Sequence, residues 1–227
     1  MSKYTVNDLI EIMKKLRAPD GCPWDKVQTH QSIKKNMIEE CYEAVDALDN
    51  GTDHDFANEL GDVLLQVVFH AELAEERGAF DFGDVVDEIC TKLISRHTHV
   101  FGNDKADSAA EALTNWEKNK KKEKGQKTDI EVLKDVPQYL PALMRAQKLQ
   151  KKASGLMGEN PERSELYDNV ISALDKYEKS EKTSKDFGRL LFAAAALGRA
   201  DGIDAETALS EASGEYIKDM EKVFGNR

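Results

Sequence analysis

Apolar and polar residues recur with helical spacing along most of the chain. Four apolar residues near the start fall at positions i, i+3, i+4 and i+7 of one helix: Leu9, Ile12, Met13 and Leu16. Thr5 and Asp8 are placed as in a capping box just before this stripe, so the helix is expected to begin there. Proline and glycine in the following segment, APDGCPWDKVQT, end the helix.

The same spacing predicts eight more helices and no convincing strand. Their approximate ranges are 30–50, 53–77, 81–96, 108–124, 142–153, 163–179, 185–200 and 205–224. The centre of the third helix, VLLQVVFHA, is apolar on almost every side and is expected to be buried. The chain is therefore predicted to be an all-α protein built from helical bundles.

Two parts of the chain resemble each other in sequence. ELGDVLLQVVFHA (59–71) aligns with DFGRLLFAAAALG (186–198), and IEECYEAVDAL (38–48) aligns with YDNVISALDKY (167–177). We interpret the similarity as a tandem repeat of one helical unit, although amphipathic helices also resemble each other by chance. The predicted organisation is, in order, a first unit over 1–124, a linker over 125–139 and a second unit over 140–227.

The composition argues against several classes of protein. With 40% hydrophobic and 33% charged residues the chain is expected to fold, and its formal net charge of -11 disfavours binding to the phosphate backbone of nucleic acids. The three cysteines lack Cys-x-x-Cys spacing, so neither a disulfide framework nor a thiolate zinc site is expected. No signal peptide is visible, and no apolar run approaches the roughly 20 residues of a membrane span. These features predict a cytoplasmic protein that binds neither membranes nor nucleic acid.

The densest chemical signal is a run of carboxylates on the second and third helices. The segment EECYEAVDALDNGTDHDFANELGD contains nine carboxylates and no lysine or arginine. Glu39, Glu40 and Glu43 share a face of one helix because they are three or four residues apart, and Glu59 and Asp62 share a face of the next. An antiparallel turn at DNGT can bring both groups together. Converging carboxylates favour a hard divalent cation, Mg²⁺ or Mn²⁺.

Other interpretations of these polar residues are open at this point. The carboxylates could form a solvated acidic surface, but Glu59 and Asp62 lead into the most apolar helix, where burying unpaired charge is costly. A di-iron site would need a histidine three residues after a glutamate, and none of these glutamates has one. The pair His97 and His99 is weak evidence for zinc and fits a structural or supporting role.

Basic residues on the fourth and fifth helices could neutralise phosphate groups. Lys92 and Arg96 lie one helical turn apart in KLISR, and Trp116 and Lys120 lie one turn apart in WEKNK. A metal cluster facing lysine and arginine is the outline of a polyphosphate site. Taken singly, each cation is more simply a surface ion pair, and Trp116 could either stack on a base or anchor its helix.

Together these segments resemble the MazG family of nucleoside triphosphate pyrophosphohydrolases. EECYE followed by ELGD matches the Glu-Glu-x-x-Glu and Glu-x-x-Asp signature of that family. GCPWDKVQTH, KLISRHTHVFG, LTNWEKNKKKEK and VPQYLPALMRAQKLQKKA look like further segments of the family in the same order. The resemblance is dense from Leu16 to Ala153 and faint beyond. It departs from the family at Thr98, where proline is usual.

The resemblance implies an all-α, usually dimeric enzyme that hydrolyses NTPs or dNTPs to a nucleoside monophosphate and pyrophosphate. Its cofactor would be Mg²⁺, with Mn²⁺ as a substitute. Carried over by position, four carboxylates would bind the metal: Glu40, Glu43, Glu59 and Asp62. Glu39 would orient or deprotonate the attacking water. Three cations would hold the phosphates and one aromatic residue would lie near the nucleotide: Lys92, Arg96, Lys120 and Trp116.

The second unit is expected to be a degenerate copy that has lost catalysis. In the repeat alignment Glu40 corresponds to Asn169 and Asp62 corresponds to Arg189. The remaining counterparts are Glu43 with Ser172, Glu59 with Asp186, Lys92 with Glu215 and Arg96 with Asp219. This exchange removes negative charge from the metal end and reverses the sign at the phosphate end, so the copy should repel both Mg²⁺ and a triphosphate.

Other functions stay open on sequence alone. A hydrolase of the same superfamily could act on one nucleotide, such as dUTP or phosphoribosyl-ATP. A non-catalytic nucleotide sensor or interaction module is a further alternative, although the intact acidic residues of the first unit argue against it. A nucleic-acid binder has only KNKKKEKGQK in its favour, and that segment is typical of a solvated helix end.

Overall fold

The computed structural model describes residues 3–125 and 128–225, which form twelve α-helices and no β-strand. The prediction of an all-α protein is thereby confirmed. The first seven helices are α1 (Val6–Arg17), α2 (Pro23–Lys26), α3 (Lys34–Asn50), α4 (Asp53–Glu75), α5 (Phe82–Arg96), α6 (Thr98–Phe101) and α7 (Ala109–Glu123). The other five are α8 (Asp129–Lys134), α9 (Ala142–Met157), α10 (Arg163–Lys179), α11 (Ser184–Ala200) and α12 (Ala205–Phe224). None of the helices in these ranges has the length and apolar character needed to span a bilayer.

The chain divides into two compact units, Met1–Lys120 and Lys121–Arg227. All nine predicted helices occur, with ends shifted by a few residues. Three short helices, α2, α6 and α8, were not predicted. The helix α8 falls inside the predicted linker and packs on α9, while positions 126 and 127 of that linker lie outside the described residues. The assignment of 1–124, 125–139 and 140–227 as catalytic unit, linker and degenerate unit stays a prediction.

The first unit is organised around the antiparallel hairpin of α3 and α4. Its core combines Met13 of α1 and Ile33, just before α3, with Val68, Phe69 and Leu73 of α4. The capping box that the sequence predicts at the start of α1 is present. Every buried residue of α4 follows its first two turns, so the expectation of a buried centre is confirmed and the acidic start of the helix stays nearer the surface.

Ion pairs fasten the end of α1 to the end of α4. The Arg17 guanidinium donates to both carboxylate oxygens of Glu76, from Nε at 2.6 Å and from Nη2 at 2.7 Å. The Arg17 side chain is only 6% exposed, and it also donates to the carbonyl oxygen of Asp25. Lys14 Nζ donates to Glu75 at 2.9 Å. Because a bidentate arginine–carboxylate pair has fixed geometry, these contacts hold one end of the hairpin in place.

The second unit repeats the arrangement with the hairpin of α10 and α11, against which α9 packs. A buried amide, Gln147 of α9, joins this hairpin to the turn that follows. Its Nε2 donates to the carbonyl oxygens of Ala195 and Ile203 at 3.0 and 2.9 Å, and its Oε1 accepts from the backbone of Ala205 at 3.1 Å. Because every donor and acceptor of this buried amide has a partner, burial costs little here.

Candidate active site

Three of the predicted metal ligands converge at one end of the α3–α4 hairpin. Ligand oxygens of Glu40, Glu43 and Glu59 all lie within 4.8 Å of one another. Glu40 and Glu43 are on α3, and Glu59 is on α4. An arrangement of three carboxylate oxygens at this separation could hold a metal ion, and oxygen ligands suit a hard divalent cation.

A tight turn and a helix cap bring the two acidic helices into register. Gly51 ends α3, and a Cβ atom at this position would lie 2.7 Å from the carbonyl oxygen of Ala47, so only glycine fits without a shift. Thr52 then caps α4: its side chain accepts from the backbone of Asp55, and Asp55 accepts from the backbone of Thr52 in return. This capping box fixes the first residue of α4 and thereby the position of Glu59 two turns later.

The electrostatics of the cluster are unfavourable without a cation. The pKa of Glu40 is raised, first by burial of its carboxyl group and then by the negative charges of Asp62, Glu43 and Glu59. Each of these effects disfavours the charged carboxylate. A divalent cation at this point would relieve the repulsion. The oxygen ligands and the repulsion between them therefore both fit a metal site.

The two remaining predicted carboxylates are not among the three residues that converge. Asp62 is half-buried and close enough to contribute to the raised pKa of Glu40. Glu39 is exposed, and it is not among the three residues that converge within 4.8 Å. Glu39 is therefore accessible to solvent and next to Glu40 in sequence, outside the group of three converging glutamates.

A polar stripe behind the cluster was not singled out from the sequence. Asp62, Gln66 and His70 follow one another at four-residue intervals on α4, so they share a face. Gln66 is buried, its Nε2 approaches a carboxylate oxygen of Glu40 at 3.5 Å, and its Oε1 finds no partner among the described residues. A glutamine inside the apolar run VLLQVVF was the available signal, because a buried amide in such a run needs a polar partner.

Behind Gln66, two histidines are stacked. The rings of His30 and His70 are nearly parallel, with centroids 5.1 Å apart, and their Nδ1 atoms are 2.8 Å apart. One Nδ1 must therefore donate and the other accept. Burial, and then the neighbouring His30, lower the pKa of His70. The neutral form of His70 is therefore favoured.

Two of the three predicted phosphate-binding cations meet at an indole ring. Arg96 of α5 and Lys120 of α7 both approach the ring of Trp116, at 5.2 and 4.7 Å from its centroid. Lys92 is not part of this group and pairs with Glu88 one turn earlier, at 3.0 Å. The indole thus gathers two of the three predicted cations by cation–π attraction.

Side-chain hydrogen bonds attach α7, and with it Trp116, to the end of α5. Asn119 Nδ2 donates to the carbonyl oxygen of Arg96 at 3.4 Å and to the hydroxyl oxygen of Thr98 at 3.0 Å. The Thr98 hydroxyl donates in turn to Asp104 at 2.6 Å. The departure from the family pattern at Thr98 therefore adds contacts that a proline could not make. His97 Nδ1 lies 2.7 Å from the carbonyl oxygen of Leu93, which fits a structural role.

This site and fold place the chain in a known class of proteins. Residues 28–101, which contain the whole acidic segment, match the sequence model of the MazG nucleotide pyrophosphohydrolase domain. The chain belongs to the MazG family, as its similarity to whole members also shows. It is 40% identical over 221 residues to the nucleoside triphosphate pyrophosphohydrolase/pyrophosphatase MazG of Thermotoga maritima, and the alignment covers 95% of this chain and 84% of that relative.

Two further relatives bear similar names. The nucleoside triphosphate pyrophosphohydrolase of Escherichia coli K12 is 39% identical over 234 residues, covering 98% of this chain and 89% of the relative. The nucleoside triphosphate pyrophosphohydrolase of Mycobacterium tuberculosis is 38% identical over 148 residues, covering 64% of this chain and 44% of the relative. Similarity over nearly the full chain therefore extends to some members of the family and not to others.

Proposed function

We propose that this protein is an Mg²⁺-dependent nucleoside triphosphate pyrophosphohydrolase that converts NTPs or dNTPs to a nucleoside monophosphate and pyrophosphate. The observation that carries the proposal is the convergence of Glu40, Glu43 and Glu59 within 4.8 Å at one end of a hairpin. The names of the full-length relatives support the reaction. The proposal also includes the role of controlling or cleaning the nucleotide pool.

In this proposal the metal site consists of four carboxylates, Glu40, Glu43, Glu59 and Asp62. Bound there, Mg²⁺ would lower the pKa of a coordinated water and neutralise phosphate oxygens. Mn²⁺ prefers the same oxygen ligands and could substitute. The raised pKa of Glu40 supports this assignment, because a carboxylate held close to other carboxylates gains most from a nearby cation.

The chain's own residues would then prepare the attack on the α phosphorus. Glu39, exposed beside the cluster, would orient the attacking water and accept its proton. Hydrolysis at this phosphorus gives the monophosphate and releases pyrophosphate, whose negative charge needs to be stabilised as it leaves. Arg96 and Lys120, and Lys92 after leaving Glu88, would supply that charge.

Trp116 would bind the nucleotide and deliver these cations. Arg96 and Lys120 both lie over its ring. A base stacked on the indole would compete with the cations for the ring and release their charged ends toward the phosphates. This exchange would couple recognition of the base to neutralisation of the phosphates.

The direct test is product analysis with a panel of canonical NTPs and dNTPs in millimolar Mg²⁺. Monophosphate and pyrophosphate are expected, and chelation of the metal should stop their release. The variant Glu40→Gln should lose turnover, whereas Glu165→Gln, which removes an exposed carboxylate of the second unit, should keep it. Release of a diphosphate and orthophosphate would refute the proposal. Turnover of one nucleotide alone would identify the specialised hydrolase instead.

A homodimer forms part of the same proposal. Apolar side chains on α3, Ile38, Tyr42 and Val45, follow helical spacing and are 48%, 56% and 54% exposed. On α5, Ile89 and Leu93 are about half exposed as well, at 50% and 47%. Apolar stripes of this kind are typical of helices that pack against a partner. Light scattering should give the mass of a dimer, and Tyr42→Glu should shift it toward the monomer.

The expected cytoplasmic location belongs to the proposal too.

A further inference from the structure

The second unit contains a pocket that the proposed reaction does not use. It has a volume of about 680 Å³ and lies among α9, α10 and α11. A volume of several hundred Å³ is typical of sites that bind small organic ligands. Much of its wall is apolar, with Met157, Leu166 and Phe192 as the largest of these side chains. An elongated or planar molecule could therefore bury substantial apolar surface there.

One wall residue of the pocket corresponds by helix position to a residue of the acidic cluster in the first unit. Helices α3 and α10 have the same length of 17 residues, and Glu40 and Asn169 are the seventh residue of each. Asn169 lines the pocket. The hairpin partner helix also begins in the same way in both units, because Thr183 accepts from the backbone of Asp186 as Thr52 accepts from that of Asp55.

Charge in this pocket is opposite to that of the metal cluster. Three cations line it, Lys185, Arg189 and Arg199, and no carboxylate does so among the described residues. Arg189 is paired with Asp186 at 3.1 Å, which leaves two cations in excess. In a chain of net charge -11, such a local excess of positive charge indicates an anionic ligand.

Buried polar atoms at the pocket also lack partners. The Arg199 guanidinium donates from Nη2 to the hydroxyl of Ser154 at 3.3 Å, but its Nε is buried with no partner among the described residues. Gln150 donates from Nε2 to the carbonyl oxygen of Phe192 at 2.8 Å, and its Oε1 is likewise buried without one. Unsatisfied buried groups are costly and are expected where a ligand or water completes the hydrogen bonds.

We propose that this pocket binds a small organic anion with a planar apolar body, and that it does so without a metal ion. Phe192, Met157 and Leu166 would cover the apolar body, while Arg199 would hold the anionic group. Lys185, at the other end of the same helix and roughly 21 Å away along its axis, would not share that contact. The cations that attract this group also repel Mg²⁺, so the ligand would bind free rather than as its metal complex. A nucleoside monophosphate and an aromatic carboxylate share this chemistry. The second unit would then be a ligand-binding unit rather than an empty copy.

Fluorescence titration with anilinonaphthalene sulfonate, an aromatic anion, tests the proposal in the presence of a chelator. One saturable site per chain is expected. Displacement of the dye by AMP would indicate a nucleotide ligand, and displacement by salicylate an aromatic carboxylate. Because the measurement needs neither metal nor turnover, its outcome is independent of the proposed hydrolysis. Absence of a saturable site would overturn the proposal. Dye binding that occurs only when the protein is unfolded would overturn it as well.

Variants locate the binding site. Arg199→Gln should weaken dye binding roughly tenfold, as expected for loss of one charge-assisted contact. Ala193→Phe should block the pocket without changing its charge, because Ala193 is part of its wall. Lys218→Gln on α12 is the matched control and should bind normally. Circular dichroism checks that each variant is folded. Normal binding by the folded pocket variants, or loss of binding in Glu40→Gln, would place the dye elsewhere and refute the proposal.

Discussion

The hairpins α3–α4 and α10–α11 are built alike and differ in what they present at one end. Each joins a 17-residue helix to a second helix that begins with a threonine cap. In the first hairpin, three glutamates converge within 4.8 Å. In the second, Asn169 takes the helix position of Glu40 and lines a pocket whose wall contains three cations. The caps and the apolar packing therefore preserve the hairpin, while a few positions on its inner face determine which charge it can bind.

The caps also refine the alignment of the two units. Sequence similarity pairs Glu59 with Asp186, whereas the threonine caps pair Asp55 with Asp186, which is a shift of about one helical turn. Under the cap alignment Glu59 and Asp62 correspond to Leu190 and Ala193. Asp186 is thus a capping residue, not the remnant of a metal ligand. Both alignments leave the second unit without the acidic cluster, so the predicted loss of catalysis does not depend on the choice between them.

The largest expected effect separates the two hairpins by activity. Asp62→Asn should lower pyrophosphate release by at least about a hundredfold, because a metal contributes several kcal/mol of transition-state stabilisation. Asp168→Asn, which removes an exposed carboxylate from the corresponding end of α10, should leave the rate unchanged. Steady-state kinetics on both folded variants makes the measurement. Substantial turnover by the Asp62 variant would mean that the second unit is catalytic after all.

The next effect concerns the group around Trp116. Arg96→Gln should lower kcat/KM roughly tenfold to a hundredfold, since contacts between a cation and a phosphate are typically worth about 1.5–3 kcal/mol. Arg163→Gln is the control, because Arg163 pairs with Asp201 on the surface of the second unit. Equal kinetics for the two variants would remove Arg96 from the proposed phosphate site.

Metal binding should also separate the hairpins by stability. At a Mg²⁺ concentration about a hundred times the Kd, binding to the folded state alone adds about 2.7 kcal/mol. For a chain of this size that shift raises Tm by roughly 5–10 °C. Asp62→Asn should lose the increase and Asp168→Asn should retain it, as measured by differential scanning calorimetry. A wild-type Tm that does not change on addition of Mg²⁺ would contradict the proposed metal site.

The smallest effect is a pH dependence that belongs to the first hairpin. Because the pKa of His70 is lowered in the fold, the unfolded chain binds a proton more readily than the folded one. The stabilisation from neutral His70 is therefore present above its ordinary value of 6.5 and is lost as the pH falls through the lowered value. Urea unfolding in the presence of a chelator should give a larger free energy of unfolding for the wild type than for His70→Gln. This difference should decrease as the pH falls. His54→Gln, at an exposed position of the same helix, is the matched control.

Much of this fold could be predicted from local patterns. The long helices follow from apolar periodicity, and the first cap follows from Thr5 and Asp8. The short helices α2, α6 and α8 escaped prediction because four to six residues are too few to establish a period. Spacing along the sequence was also sufficient to bring Glu40, Glu43 and Glu59 together, since helix geometry and one tight turn determine their positions.

Features that depend on packing between helices could not be predicted in the same way. The sequence gives no sign that Lys92 pairs with Glu88 while Arg96 and Lys120 meet at Trp116. All four charged side chains occur at helical spacing, and their rotamers determine which contacts form. The pocket of the second unit is a stronger case, because three helices contribute its wall. Of its three cations the alignment singled out Arg189 alone, and the volume of the pocket was not visible there.

The pairing of Arg17 with Glu76 has a mechanical consequence for the first hairpin. The pair and the apolar core lie toward the C-terminal end of α4, whereas the carboxylates lie near its start. The hairpin is therefore fixed at one end, and the amplitude of its motion should increase toward Gly51. Amide hydrogen exchange should be slowest around Phe69 and progressively faster toward the acidic end. Such motion would let the carboxylates adjust around the proposed cation without disturbing the core that holds them.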